Sequence, residues 1–146
     1  MTLYRHTQPG TLVLLLVSPL ALLALFWVLA YRTTPGAIIA VVVLFLCVGI
    51  FPSLTVDVSK TSIRVWFGAG FIRKTIPISS IRVARIVRNR WYYGWGIRLV
   101  PGGWMFNISG LGAVELERVD GGNFRIGTNE PDALLRAIRK ARGEDR

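Results

Sequence analysis

Two long apolar runs near the start of the chain constrain its fold more than any other feature. Residues 12–30 (LVLLLVSPLALLALFWVLA) and 37–54 (AIIAVVVLFLCVGIFPSL) contain no charged side chain. A bilayer core about 30 Å thick needs roughly 20 helical residues at about 1.5 Å each. The sequence therefore predicts a two-helix transmembrane hairpin within residues 1–54. Its short connector, YRTTPG, holds a single cation, Arg32.

A cleaved signal peptide is the alternative interpretation of the first run. Arg5 gives a weakly positive start, and the residues up to Ala30 fit a small-residue cleavage site. However, the run exceeds the usual apolar core of about 7–15 residues. Trp27 and Tyr31 also match the aromatic anchors found at membrane interfaces. We therefore expect both runs to be retained as helices.

The charged residues follow the apolar runs. All eight acidic residues and sixteen of the eighteen Lys and Arg residues come after position 54. Cations near helix ends mark the cytoplasmic side of a membrane, so this bias predicts that both termini and residues 55–146 are cytoplasmic. A basic domain held there faces anionic lipid headgroups. Nucleic acid is the other partner that a basic surface suggests, but no nucleic-acid-binding motif accompanies the charge.

Residues 55–146 predict a small β-rich domain that ends in one helix. Alternating apolar and polar positions predict strands at 62–67, 71–77, 80–88, 114–119 and 123–127. Glycine-rich turns are predicted at 68–70, 101–103 and 120–122. The period then becomes helical, with Asn129 as the N-cap, Leu134 and Ile138 on one apolar stripe, and Gly143 as the stop. We expect about seven antiparallel strands, covered at one end or face by this helix.

That order of elements is the order of a pleckstrin-homology (PH) fold. The chain resembles small bacterial membrane proteins that have two transmembrane helices and a PH-like domain. The resemblance lies in residues 91–98 (WYYGWGIR), 103–110 (GWMFNISG) and 120–138 (DGGNFRIGTNEPDALLRAI), and it extends over essentially the whole chain. It implies a membrane-anchored α+β protein of the bacterial cytoplasmic (inner) membrane. In that protein a two-helix hairpin precedes a PH-like antiparallel β-barrel with a C-terminal capping α-helix. The resemblance transfers no catalytic or ligand residue.

Aromatic and basic side chains of the domain are the candidates for contact with a partner or with lipid. The aromatic candidates are Trp91, Tyr92, Tyr93, Trp95 and Trp104. Their alternative role is to fill the core, because Trp and Tyr suit both sites. The basic candidates are Arg82, Arg85, Arg88, Arg90 and Arg98. Their alternative role is a solvated strand face, although each exposed cation near an anionic surface contributes about 1 kcal/mol.

No pattern in the chain predicts catalysis, a cofactor or a metal. His6 is the only histidine and has no catalytic constellation around it, and the single Cys47 excludes an intrachain disulfide. The sequence therefore predicts a non-catalytic binding or scaffold module at the membrane that recruits or regulates a protein or a membrane complex. The alternatives are non-specific sensing of anionic lipid and assembly with other membrane helices, including a homo-oligomer.

Overall fold

The computed structural model describes residues 1–31 and 34–144, and the predicted connector cation Arg32 lies outside them. Within the described residues the protein is α+β, with nine strands in two sheets and three α-helices. The strands are β1 (Thr2–Pro9), β2 (Ser53–Ser59), β3 (Ser62–Phe67), β4 (Ile72–Pro77), β5 (Ile81–Arg88), β6 (Gly96–Val100), β7 (Gly103–Asn107), β8 (Gly112–Arg118) and β9 (Asn123–Gly127). The helices are α1 (Ser18–Tyr31), α2 (Pro35–Ile50) and α3 (Pro131–Arg142).

The two apolar runs form helices that pack against each other. A π-helical turn, Val13–Val17, leads into α1. Together they give the 19-residue segment Val13–Tyr31, which is long and apolar enough to cross a membrane. A signal sequence near the N-terminus has the same properties, so length and composition do not separate the two interpretations. The 16 residues of α2 extend about 24 Å, which is less than the thickness of a bilayer core.

The second helix differs from the predicted bounds of 37–54. It begins at Pro35, since proline is well suited to the first turn of a helix. It ends at Ile50 because Pro52 cannot continue a helical hydrogen-bond ladder. The Phe51 N–H donates to the Cys47 carbonyl at 3.0 Å, which closes the last turn. The next residues already belong to β2.

Strand β1 connects the start of the chain to the domain beyond the helices. It pairs antiparallel with β2, from Thr2 opposite Ser59 to Pro9 opposite Ser53. The sequence assigns residues 1–54 to the hairpin, whereas the structure places residues 2–9 and 53–54 in the sheet. The helices are therefore an insertion between two paired strands.

The strands form two open sheets, in the orders β1-β2-β3-β4 and β5-β8-β9-β7-β6. Neighbours pair antiparallel except β7 and β9, which are parallel. This arrangement corrects the expected closed antiparallel barrel, because among the described residues β4 and β6 end their sheets without pairing to each other. After β4 the chain makes a 3₁₀ turn, Ile78–Ser80, and starts the second sheet with β5.

Helix α3 covers one of the two gaps between the sheet edges. It contacts β1 and β2 of the first sheet and β5 and β8 of the second. Leu134 and Ile138 on its predicted apolar stripe are fully buried among the inward-facing side chains of both sheets. We call this gap, bounded by β1 and β5 and filled by α3, the closed seam.

The beginning of α3 is attached to β1 by polar contacts. The helix begins after Glu130, one residue later than predicted, because the side chain of the expected cap Asn129 lies 2.8 Å from the His6 ring nitrogen Nε2. The Tyr4 hydroxyl donates to the Glu130 carboxylate at 3.3 Å. Burial, together with this carboxylate, raises the pKa of Tyr4 to about 12. These contacts fix β1 along the closed seam.

Candidate functional site

The arginines on β5 are mostly neutralised. Arg82 forms an ion pair with Glu117, and Arg85 lies 2.5 Å from Glu115, both on the neighbouring strand β8. Arg88 is exposed near the end of β5 and has no ion-pair partner among the described residues. The basic strand face predicted from the sequence is therefore much weaker than its charge count suggests.

Glu115 is the centre of a buried ion-pair network on the outer face of the second sheet. Its side chain is 2% exposed and accepts hydrogen bonds from Arg85 and from Arg125 on β9. Burial alone would raise the pKa of Glu115, but the two guanidinium groups outweigh it and hold the pKa below its ordinary value. Arg125 also lies over the Tyr93 ring and 3.4 Å from Asn89. Arg85 and Tyr93 therefore contribute to the stability of the fold.

The segment between β5 and β6 exposes most of the other aromatic candidates. Trp91–Tyr93 forms a single 3₁₀ turn, and Trp91 is 77% exposed. Arg90 donates to the Tyr92 hydroxyl at 2.6 Å, and this hydrogen bond raises the pKa of the guanidinium. Trp91 and Tyr92 thus lie on the surface and do not fill the core.

Trp95 and Arg98 lie beside the ends of the apolar helices. They line a cavity of about 350 Å³ together with Gly96, Ile97 and Ile108. The opposite wall is formed by Val13, Val17, Cys47 and Phe51. We call this space the junction cavity, since it separates the domain from the helices.

The β3–β4 turn reaches the same end of α2. Phe71 at this turn is 82% exposed and lines an apolar cavity of about 500 Å³ with Leu25 and with residues of α2 such as Phe45 and Ile50. The exposed segment before β6 and this turn therefore both adjoin the helix ends.

Trp104 lies apart from the other aromatic candidates, at the gap that α3 does not cover. Trp104 on β7 and its neighbour Leu99 on β6 stand in register on the inner face, yet they are 54% and 71% exposed. They lie beside the gap between the edge strands of the two sheets, β4 and β6. We call this gap, a cavity of about 220 Å³, the open seam. It is lined by Lys74, Ile76, Ile97, Trp104, Phe106, Arg118, Asn123 and Phe124.

Lys74 gives the open seam an unbalanced positive charge. It stands opposite the fully buried Val65, so it belongs to the inner face of β4. Arg118 pairs with Asp120 at 2.5 Å, whereas Lys74 has no acidic partner among residues 1–31 and 34–144. Lys74 is not among the site residues predicted from the sequence, although its alternation with Ile72 and Ile76 places it on the apolar face.

The described residues contain no cluster of three or more His, Cys, Asp or Glu side chains that would hold a metal ion. Comparison with known proteins adds no assignment, because no family model, curated protein or solved structure matches the chain.

Proposed function

We propose that this protein is a non-catalytic, membrane-anchored PH-like module that recruits a protein partner through the open seam. The seam supports this proposal because its apolar floor lies between two unpaired strand edges. An edge strand offers N–H and C=O groups to an extended peptide, while pockets beside it select side chains. Because Lys74 has no acidic partner among the described residues, it favours a peptide that carries an acidic residue beside the apolar residue that enters the seam.

The surface of the apolar helices supports membrane anchoring. Their described residues bury only Ala21 and Val41. Large apolar side chains along both helices are exposed, among them Leu15, Leu22, Phe26, Leu29, Ile39, Val43 and Leu46. A continuous apolar surface of this kind needs lipid or another apolar partner. We therefore propose that both helices lie in the bacterial cytoplasmic membrane.

The pairing of β1 with β2 supports retention of both helices and a common side for their outer ends. Cleavage after Ala30 would remove β1 from the sheet. Because β1 and β2 are neighbours, the chain enters α1 and leaves α2 on the same side. The excess of Lys and Arg after residue 54 favours the cytoplasm for that side.

Two packed sheets and a final helix across one seam support the PH-like assignment. The parallel pair β7–β9 departs from the all-antiparallel pattern that the resemblance implies. The PH-like character is therefore proposed from the order of elements and from the quoted sequence stretches.

Purification of the full chain from its native membrane in mild detergent tests the recruitment proposal. We expect a co-purifying protein that is retained by the wild type and lost with Trp104→Ala and with Lys74→Glu. Trp91→Ala is the matched control, because Trp91 is also exposed but lies outside the seam. A partner that co-purifies equally well with both seam variants would contradict the seam as its binding site. The absence of any stable partner would contradict recruitment.

Non-specific sensing of anionic lipid is a second candidate function, favoured by the position of Trp95 and Arg98 beside the helix ends. Removal of three cations, by Arg88→Gln, Arg90→Gln and Arg98→Gln together, should weaken binding to anionic vesicles of a helix-free domain in which a short Gly-Ser loop joins residues 1–10 to residues 52–146. That binding should fall steeply with salt, because exposed charges are screened over about 8 Å at physiological ionic strength. Salt-insensitive binding would contradict this function.

A further inference from the structure

The junction cavity is built from two chemically different walls. The helix wall consists of apolar residues from the first turns of the helical segment, Val13 and Val17, and from the last turn of α2, Cys47. The π-helical geometry of Val13–Val17 is rare and occurs frequently at functional sites. The domain wall starts at Trp95, an amphipathic side chain that suits a boundary between apolar and polar surroundings.

Arg98 is the one charged residue that lines this cavity within the described chain. Its Nε–H donates to the Trp95 carbonyl at 3.0 Å, which orients the guanidinium. No acidic residue lines the cavity or pairs with Arg98 among the described residues. The remaining guanidinium N–H groups are directed donors that match the oxygens of a phosphate.

We propose that the junction cavity binds one phospholipid with an anionic headgroup. Its phosphate contacts Arg98, and one acyl chain lies along Val13, Val17 and Cys47. None of the described residues that line the cavity is a carboxylate that could hold the ammonium of a zwitterionic headgroup, so a net anionic lipid binds better than a zwitterionic one. This inference rests on the proposed membrane anchoring, but it does not depend on the open seam.

Cys47 provides a direct probe of occupancy, since it is the only cysteine and lines the cavity. The full chain is placed in nanodiscs of phosphatidylcholine, with or without phosphatidylglycerol, and labelled with N-ethylmaleimide. We expect phosphatidylglycerol to slow labelling at least tenfold in the wild type and in the control Arg136→Gln, which removes an exposed cation outside the cavity. The Arg98→Gln variant should label at the same rate in both membranes, and Arg98→Lys should restore part of the protection.

Native mass spectrometry gives a second readout of the same site. The wild type should retain one phosphatidylglycerol, whereas Val17→Trp, which fills the cavity with an apolar side chain, should retain none. Equal labelling rates for wild type in both membranes would overturn the lipid site. So would unchanged protection in Arg98→Gln, because that result would reflect only the charge of the membrane surface.

Failure of the lipid site and failure of the anchor are distinguished by extraction. A chain released from native membranes by alkaline carbonate without detergent contradicts the anchoring on which the lipid site rests. A chain that needs detergent, but whose Cys47 labels equally in both nanodiscs, contradicts the lipid site alone.

Discussion

The closed seam and the open seam are the two gaps between the edges of the same pair of sheets, and α3 covers only the first. At the closed seam, Leu134 and Ile138 of α3 complete the core and are fully buried. At the open seam, Leu99 and Trp104 belong to the same inner face but remain largely exposed. Among residues 1–31 and 34–144, one amphipathic helix, α3, follows the sheets, and it covers only one gap.

This difference indicates how a two-sheet fold separates stability from binding. The covered gap contributes to the core, where apolar burial stabilises by roughly 25 cal/mol per Å². The uncovered gap leaves inward-facing side chains available to another molecule, and a cation, Lys74, stands at its edge. Substitutions at the closed seam should therefore change the stability of the fold, whereas substitutions at the open seam should change the binding of a partner.

Removal of β1 should produce the largest effect, because β1 is one wall of the closed seam. A chain of residues 53–146 should show no cooperative thermal transition, since β2 would lose one of its two partner strands along its whole length and the closed seam would lose a wall. The matched control joins residues 1–10 to residues 52–146 through a short Gly-Ser loop. Its ends already meet, as the Gly10 N–H donates to the Pro52 carbonyl at 2.8 Å. A cooperative melt of residues 53–146 alone would show that β1 is dispensable.

Leu134→Asp should destabilise the protein by at least about 4 kcal/mol, because it places an unpaired carboxylate in the closed seam. Arg136→Asp on the exposed side of the same helix is the control and should cost less than about 1 kcal/mol. Thermal and denaturant unfolding of both variants measures the difference. Equal loss in the two variants would mean that α3 does not complete the core.

Glu115→Gln tests the network that holds β5, the second wall of the closed seam. Loss of the charged acceptor should cost about 1–3 kcal/mol at pH 7. The pKa of Glu115 is lowered in the folded state, so its stabilisation is complete above the unfolded-state pKa near 4.5 and is lost as the pH falls through the lower folded-state value. Between neutral pH and this acidic range, the wild type should therefore lose more stability than the variant. Parallel stability curves would exclude a contribution from the network.

Leu99→Asp should produce the smallest effect on folding, below about 1 kcal/mol, although Leu99 shares an inner face with buried residues. Denaturant unfolding beside Leu134→Asp gives the comparison directly. A loss as large as that of Leu134→Asp would show that the open seam is part of the core and is not a free site.

Local patterns in the sequence predict local elements well. The bounds of β3 match the prediction because its alternation ends at a glycine-rich turn. In contrast, β1 escapes prediction because its partner lies about fifty residues away, beyond two helices. The open seam also escapes prediction, since it depends on which strands become sheet edges. Trp104 was a candidate by residue type, but only the sheet order separates it from Trp91 and Trp95.

The insertion of α1 and α2 between paired strands has a mechanical consequence. A domain on a single flexible linker can change its orientation freely, because the end-to-end distance of such a linker grows as about 5–6 Å times the square root of its number of residues. Here two adjacent chain crossings connect helices and sheet, and they are joined to each other by the hydrogen bond from the Gly10 N–H to the Pro52 carbonyl. Two short connections side by side restrict rotation of the sheets relative to the helices. A tilt of the helices therefore turns the sheets with them, so the helix pair acts as a lever on the domain.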